Sequence, residues 1–174
     1  MPLKILLVED TDSDAELVER ALRRGGLELD LRRVETEERF REELEIGKPD
    51  VVLADYRLPT FDGVAALGIV RENDAELPFI IVSGTLGDEK AVEVLKLGAT
   101  DYVLKDRLSR LVPAIERALR DRQQRDEQRR IEAQLERARR MDSLGRVAGT
   151  IAHEMNNVLM SIQTAIQLLR EAPD

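Results

Sequence analysis

Carboxylate, hydroxyl and ammonium side chains follow four short apolar runs in this 174-residue sequence. Asp55 ends the run 51–54, whose uninterrupted apolar and partly β-branched character is typical of a strand buried on both faces. The other three runs end in further polar groups: Glu9-Asp10, Ser83 and Lys105. The carboxyl ends of parallel strands meet at one edge of a sheet, where open α/β folds bind ligands. We therefore predict that these side chains lie together.

The chemistry of this set favours a hard cation and a phosphoryl group. Three carboxylates with no Cys or His nearby offer only oxygen ligands, which suit Mg²⁺. The ammonium of Lys105 can balance the negative charge of an incoming phosphoryl group. The residue types therefore indicate phosphoryl chemistry.

The order of these motifs resembles that of the response-regulator receiver family, over residues 3–119. The resemblance implies that Asp55, with Pro59 four residues on, accepts a phosphoryl group from a phosphodonor histidine kinase or phosphotransfer protein. It also implies a Mg²⁺ site, a pair that binds the phosphoryl oxygens and a pair that switches conformation. The implied Mg²⁺ ligands are Asp10, Asp55 and the backbone carbonyl of Arg57, and Glu9 supports the ion through water. The phosphoryl-binding pair is Lys105 and Ser83, and the switch pair is Ser83 and Tyr102.

The alternation of strand and helix patterns predicts an α/β fold. We expect a five-stranded, parallel, flavodoxin-like doubly wound sheet in the order 2-1-3-4-5, followed by a long C-terminal coiled-coil helix. Arg32 and Arg33 interrupt the second strand, which places it at an edge. The expected organisation is a receiver domain at 1–120, a helical coiled-coil linker at 121–140 and a partial dimerisation and phosphoacceptor helix at 141–174.

The tail carries the pattern of a helix that packs on other helices. No Gly or Pro occurs between Leu119 and Gly145, which favours a continuous helix over a flexible linker. Apolar residues then recur at alternating spacings of four and three from Leu144 to Leu169, which is a heptad seam. A homodimer through this helix is the expected partner interaction, with a break in the seam between Ala138 and Leu144.

His153, the only histidine, lies on the helix face opposite this seam. The segment 141–157 resembles the first helix of the histidine-kinase dimerisation and phosphotransfer domain. That resemblance implies a phosphoacceptor role for His153, a base role for Glu154, and a role for Asn157 in contact with an ATP-binding domain and in phosphatase chemistry. The alternative is that His153 is an ordinary solvated residue.

Composition limits the remaining classes. The chain has no Cys and a net charge of −8, and it shows no signal peptide or apolar run of bilayer length. We expect a cytoplasmic protein without a membrane segment. Mixed charge and the lack of aromatics in the Arg-rich tail disfavour nucleic acid as a partner.

Two kinds of parent protein remain open. The main interpretation is a fragment of a hybrid sensor histidine kinase whose ATP-binding kinase domain is absent here, so that the chain should not autophosphorylate. Whether the chain is itself an enzyme stays open. The alternative is a response regulator without kinase activity, whose output is coiled-coil dimerisation and partner binding, or an Arg-rich helix that contacts DNA.

Overall fold

The structure, a computed structural model, describes residues 2–59, 61–84 and 88–171. Its side-chain description leaves out residues 88–89, 138, 142–154, 158, 161 and 163–171. The chain divides into two compact units, Met1–Arg125 and Asp126–Asp174, which we describe separately.

A five-stranded parallel sheet forms the centre of the first unit. Its strands are β1 (Leu3–Val8), β2 (Leu29–Val34), β3 (Val51–Asp55), β4 (Phe79–Ser83) and β5 (Asp101–Leu104). They lie in the order β2-β1-β3-β4-β5, and every neighbouring pair is parallel. The predicted fold is confirmed, and β2 is the edge strand that its two arginines indicated.

Helices cover both faces of the sheet. They are α1 (Asp12–Arg24), α2 (Glu37–Gly47), α3 (Gly63–Asn73), α4 (Asp88–Lys96) and α5 (Leu111–Glu171), with a short 3₁₀ helix at Lys105–Arg110 before α5. Pro113 is the third residue of α5, within the first turn, where a missing backbone N–H breaks no helical hydrogen bond.

Alternate residues of the central strands feed two hydrophobic cores, because successive side chains of a strand point to opposite faces. One core joins Val52, Ala54 and Ile81 to helices α2, α3 and α4. The other joins Leu53 and Val82 to α1 and α5. The continuous apolar runs recognised in the sequence are therefore runs that have a core on each side.

A short cap places α3 directly below the end of β3. The carboxylate of Asp62 accepts a hydrogen bond from the Ala65 N–H at 2.8 Å, which satisfies one of the free donors at the helix start. Gly63 then packs on the backbone of Asp55: a Cβ at Gly63 would lie 2.5 Å from the Asp55 carbonyl oxygen. Only glycine permits this approach without a shift of β3 or α3.

The loop between α3 and β4 binds the beginning of α5. Arg122 contacts Asp74 at 2.8 Å and Arg125 contacts Glu76 at 2.6 Å. The loop itself is ordered by Arg71, whose guanidinium donates to the backbone carbonyls of Gly98, Leu77 and Asp74. The first unit thus includes helical residues beyond the predicted boundary at 120.

In its described residues, the second unit is the part of α5 from Asp126 to Glu171. Its described apolar side chains are largely exposed, including Ile131, Leu135, Met155 and Ile162. Among the residues that the structure describes, none of the helices combines the length and the hydrophobicity needed to cross a bilayer.

Candidate functional site

The polar residues singled out in the sequence meet at the carboxyl edge of the sheet. Asp55 is the last residue of β3, and Ser83 is the last residue of β4. Glu9 follows the last residue of β1, and Lys105 follows the last residue of β5. The parallel register brings these strand ends side by side.

The ammonium of Lys105 lies among three carboxylates. Its Nζ is 2.5 Å from Asp14 Oδ2, 2.7 Å from Asp55 Oδ2 and 2.8 Å from Glu9 Oε2. Oxygen atoms of the three acids all lie within 4.8 Å of one another. One ammonium and three carboxylates are therefore in direct contact at this edge of the sheet.

Backbone donors fix the other oxygens of the two inner acids. Glu9 is buried, and its Oε1 accepts a hydrogen bond from the Thr11 N–H at 3.2 Å. Asp55 Oδ1 accepts one from the Arg57 N–H, also at 3.2 Å. Each carboxylate thus has one oxygen bound to the backbone and one facing Lys105, so both are oriented before any ligand arrives.

Burial and charge act against each other in this cluster. Burial raises the pKa of Glu9, and the hydrogen bonds from Lys105 and Thr11 offset only part of that rise. Burial alone would lower the pKa of Lys105, but its hydrogen bonds to Asp14, Asp55 and Glu9 outweigh that effect and raise it. Lys105 therefore stays cationic, and its charge keeps the three acids together.

Asp14 belongs to this cluster, and the sequence analysis did not include it. It lies in the first turn of α1, four residues before the buried Val18. That i,i+4 relation puts Asp14 beside the face that packs on the sheet, and this was the available signal. In the sequence Asp14 looks like one of two acids, with Asp12, that simply favour a helix N-terminus.

Asp10 lies outside the cluster. Its side chain is exposed, and its Oδ1 accepts a hydrogen bond from the Thr11 hydroxyl at 3.1 Å. Glu9, by contrast, points inward to Lys105. The role of Asp10 as a Mg²⁺ ligand, like that of the Arg57 carbonyl, stays a prediction.

The two residues that the sequence predicts as a switch pair lie in β4 and β5. Ser83 is buried at the end of β4, and Tyr102 is half-buried against the core that α2, α3 and α4 cover. Tyr56 packs against the same core, with the Lys90 ammonium 5.4 Å from its ring centre. An aromatic–cation contact thus connects the residue after Asp55 to α4.

The second predicted site lies in the tail. His153 and Glu154 fall within α5, but their side chains are outside the described residues. Asn157 is described and exposed. The phosphoacceptor role of His153 therefore stays a prediction from sequence.

Comparison with known proteins gives a consistent result for the first unit. The sequence profile of the response regulator receiver domain family matches residues 5–116. The transcriptional regulatory protein KdpE of Staphylococcus aureus is 30% identical over 128 residues, which are 71% of this chain and 54% of KdpE. PrrA of Mycobacterium tuberculosis is 31% identical over 120 residues, 68% of this chain and 51% of PrrA. The chain thus spans about half the length of these relatives.

Solved structures agree with the sequence matches. NtrX from Brucella abortus aligns with a TM-score of 0.66 and 28% identity, over 75% of this chain and 30% of NtrX. A two-component response regulator of the LuxR family from Aurantimonas aligns with a TM-score of 0.61 and 29% identity, over 70% of this chain and 87% of that one.

Proposed function

This chain belongs to the response regulator receiver domain family, and on that premise we propose that Asp55 is its phosphorylation site in two-component signalling. The observation that carries the proposal is the contact of Lys105 with Asp55 and Glu9, at 2.7 and 2.8 Å, at the carboxyl edge of the sheet. Asp55 is partly exposed, whereas Glu9 is buried. Of these two acids, only Asp55 can be reached by a phosphodonor.

The proposed reaction is transfer from a phosphohistidine of a kinase or phosphotransfer protein. A carboxylate oxygen of Asp55 forms a bond to phosphorus while the bond from phosphorus to the imidazole nitrogen breaks. The nitrogen keeps the electron pair and takes up a proton from solvent, so the product is an acyl phosphate on Asp55. Lys105 bears the charge that neutralises part of the transferred group, and the buried Ser83 hydroxyl is the proposed second contact.

Receiver domains generally bind Mg²⁺, and the donor set here fits that ion, because its carboxylate oxygens lie within 4.8 Å of one another. Glu9 and Asp55 would hold the ion, with Asp10 and the Arg57 carbonyl as the further ligands that the family pattern predicts. The bound ion would neutralise charge that develops on the phosphoryl oxygens. The hydrogen bonds from Thr11 and Arg57 orient the two inner carboxylates for that role.

The test is phosphorylation of the full chain by acetyl phosphate with Mg²⁺. We expect one acid-stable, base-labile phosphoryl group by mass spectrometry, and none in Asp55→Asn. Asp30→Asn, which removes an exposed carboxylate from the edge strand β2, is the matched control and should be phosphorylated like the native chain. Equal phosphorylation of Asp55→Asn would contradict the assignment.

For the output we propose self-association of the tail, as in a response regulator, rather than an attached kinase. KdpE and PrrA carry the names of transcriptional regulatory proteins, which favours a regulator as the parent. Exposed Ile131 and Leu135, four residues apart on α5, support a parallel dimer along the helix. In this proposal the predicted segments 121–140 and 141–174 are two parts of one helix that dimerises.

Two other roles of the tail would give different experimental results. The first is a tail that contacts DNA. It is suggested by the name of the DNA-binding transcriptional regulator NtrC of Escherichia coli, which is 28% identical over 90% of this chain and 34% of NtrC. A steep fall of DNA affinity with salt would support that reading. The kinase-type role of His153 rests on the sequence resemblance alone. An acid-labile, base-stable phosphoryl group that His153→Gln removes would support it.

A further inference from the structure

We propose that Asp14 is a positioning residue that holds the Lys105 ammonium while Asp55 is unphosphorylated and then competes with the phosphoryl group for it. This inference rests on the proposed phosphorylation of Asp55. It concerns how readily the phosphorylated state forms and how stable that state is.

The geometry makes Asp14 a direct competitor. Its Oδ2 lies 2.5 Å from Lys105 Nζ, closer than the oxygens of Asp55 and Glu9. The Asp14 side chain is 33% exposed, against 14% for Asp55 and 2% for Glu9. Asp14 thus approaches Lys105 from the solvent side, where an incoming phosphoryl group would have to be.

The charges of the cluster explain why Asp14 should disfavour the phosphorylated state. Lys105 and its three carboxylates carry two net negative charges, and the proposed Mg²⁺ ligand Asp10 adds a third, so that one divalent cation leaves one negative charge. Phosphorylation converts the Asp55 monoanion into a dianion and so adds another negative charge. The phosphorylated site is then more strongly negative, and the charge of Asp14 is one that a substitution can remove without touching the inner acids.

The magnitude follows from the separation. Oxygens of Asp14 and Asp55 lie within 4.8 Å of each other. One added unit charge at that distance shifts an equilibrium constant by about fourfold even in bulk water, and by more in a partly buried site. The Asp14→Asn variant should therefore bind a phosphoryl group, or an analogue of the same charge, about fourfold more tightly or better.

The helix supplies a matched control. Asp12 lies in the same first turn of α1, but its side chain is 86% exposed and pairs with Arg33 instead of Lys105. Asp12→Asn removes the same formal charge from the same turn and leaves the cluster intact. The conservative variant Asp14→Glu keeps the charge and should restore native behaviour.

The first experiment measures the equilibrium binding of beryllium fluoride to the full chain at saturating Mg²⁺, by ¹⁹F NMR. Beryllium fluoride binds to the carboxylate of Asp55, and its fluorine atoms occupy the positions of the phosphoryl oxygens. We expect Asp14→Asn to bind about fourfold more tightly than the native chain, with Asp12→Asn and Asp14→Glu close to native. The proposal would be overturned if Asp14→Asn bound beryllium fluoride no more tightly than Asp12→Asn does.

The second experiment observes Lys105 itself, without Mg²⁺ or any analogue. The ¹⁵N–¹H signal of its ammonium should exchange slowly with water in the native chain and in Asp12→Asn. In Asp14→Asn it should broaden or disappear, and an unchanged signal there would show that Asp14 does not hold Lys105. Because this readout needs no phosphoryl group, it tests Asp14 separately from the proposed phosphorylation of Asp55.

Discussion

Replacement of Lys105 by methionine gives the sharpest test of how this cluster is held together. Methionine keeps most of the side-chain volume and removes the charge, so the three carboxylates would face one another without a cation. Lys105 is 14% exposed and contacts the almost fully buried Glu9. Removal of one partner from a buried ion pair costs about 3–5 kcal/mol. Since Asp14 is partly screened by water, we expect about 3 kcal/mol at pH 7.5.

The loss of stability in Lys105→Met should depend on pH, because the substitution changes the pKa of Glu9. The pKa of Glu9 is already raised by burial from its ordinary value of 4.5, and loss of Lys105 would raise it further. A carboxyl group whose pKa is higher in the folded protein contributes stability that is present below the unfolded pKa and lost as the pH rises through the folded pKa. The destabilisation of Lys105→Met relative to the native chain should therefore shrink, by about 1 kcal/mol or more, between pH 7.5 and pH 5.

The assay is urea unfolding of the full chain followed by tyrosine fluorescence. The two tyrosines, Tyr56 and Tyr102, both lie in the first unit, and the chain has no Trp, so the signal reports on the receiver. Arg20→Met is the control, because Arg20 forms an exposed i,i+4 pair with Glu16 and should cost at most about 0.5 kcal/mol. A loss below about 1 kcal/mol in Lys105→Met, or one that grows on acidification, would refute the reasoning.

Two other predictions concern the backbone near Asp55 and the tail. Gly63→Ala should lose about 1–3 kcal/mol and slow phosphorylation, because its Cβ would lie 2.5 Å from the Asp55 carbonyl oxygen; Gly68→Ala, with nothing within 4 Å, should not. Equal stabilities by urea unfolding would contradict this. In sedimentation experiments at micromolar concentration we expect a dimer of the full chain that Leu135→Lys weakens, whereas Ile46→Lys, an exposed change in the first unit, should leave it intact. A native monomer would end the dimer proposal.

The sheet and the positions of Asp55, Glu9 and Lys105 could be predicted from the sequence for a physical reason. A strand that has a core on both faces leaves an uninterrupted apolar run, and β3 and β4 both have this character. Parallel strands also end at one edge, so a polar residue after each run must lie near the others. The proximity of Asp55 to Glu9 and Lys105 therefore follows from the parallel sheet and its strand order.

Asp14 and the α3–β4 loop could not be found in that way. The i,i+4 relation to Val18 places Asp14 beside the packed face of α1, but its contact with Lys105 depends on the angle at which α1 packs on the sheet. The contacts of Arg122 and Arg125 with Asp74 and Glu76 join residues that are about 50 positions apart. In the sequence those arginines belong to a uniformly polar stretch that favours an exposed helix.

The ion pairs of Arg122 with Asp74 and of Arg125 with Glu76 determine where a fusion to another protein should be made. A chimera that fuses the receiver to another output helix after Arg120, at the predicted domain boundary, would remove both Arg122 and Arg125. A junction after Arg125 keeps both arginines and their contacts with Asp74 and Glu76 in the loop between α3 and β4. A receiver unit for transfer to another protein should therefore end at Arg125, about one and two-thirds helical turns beyond the core residue Leu119.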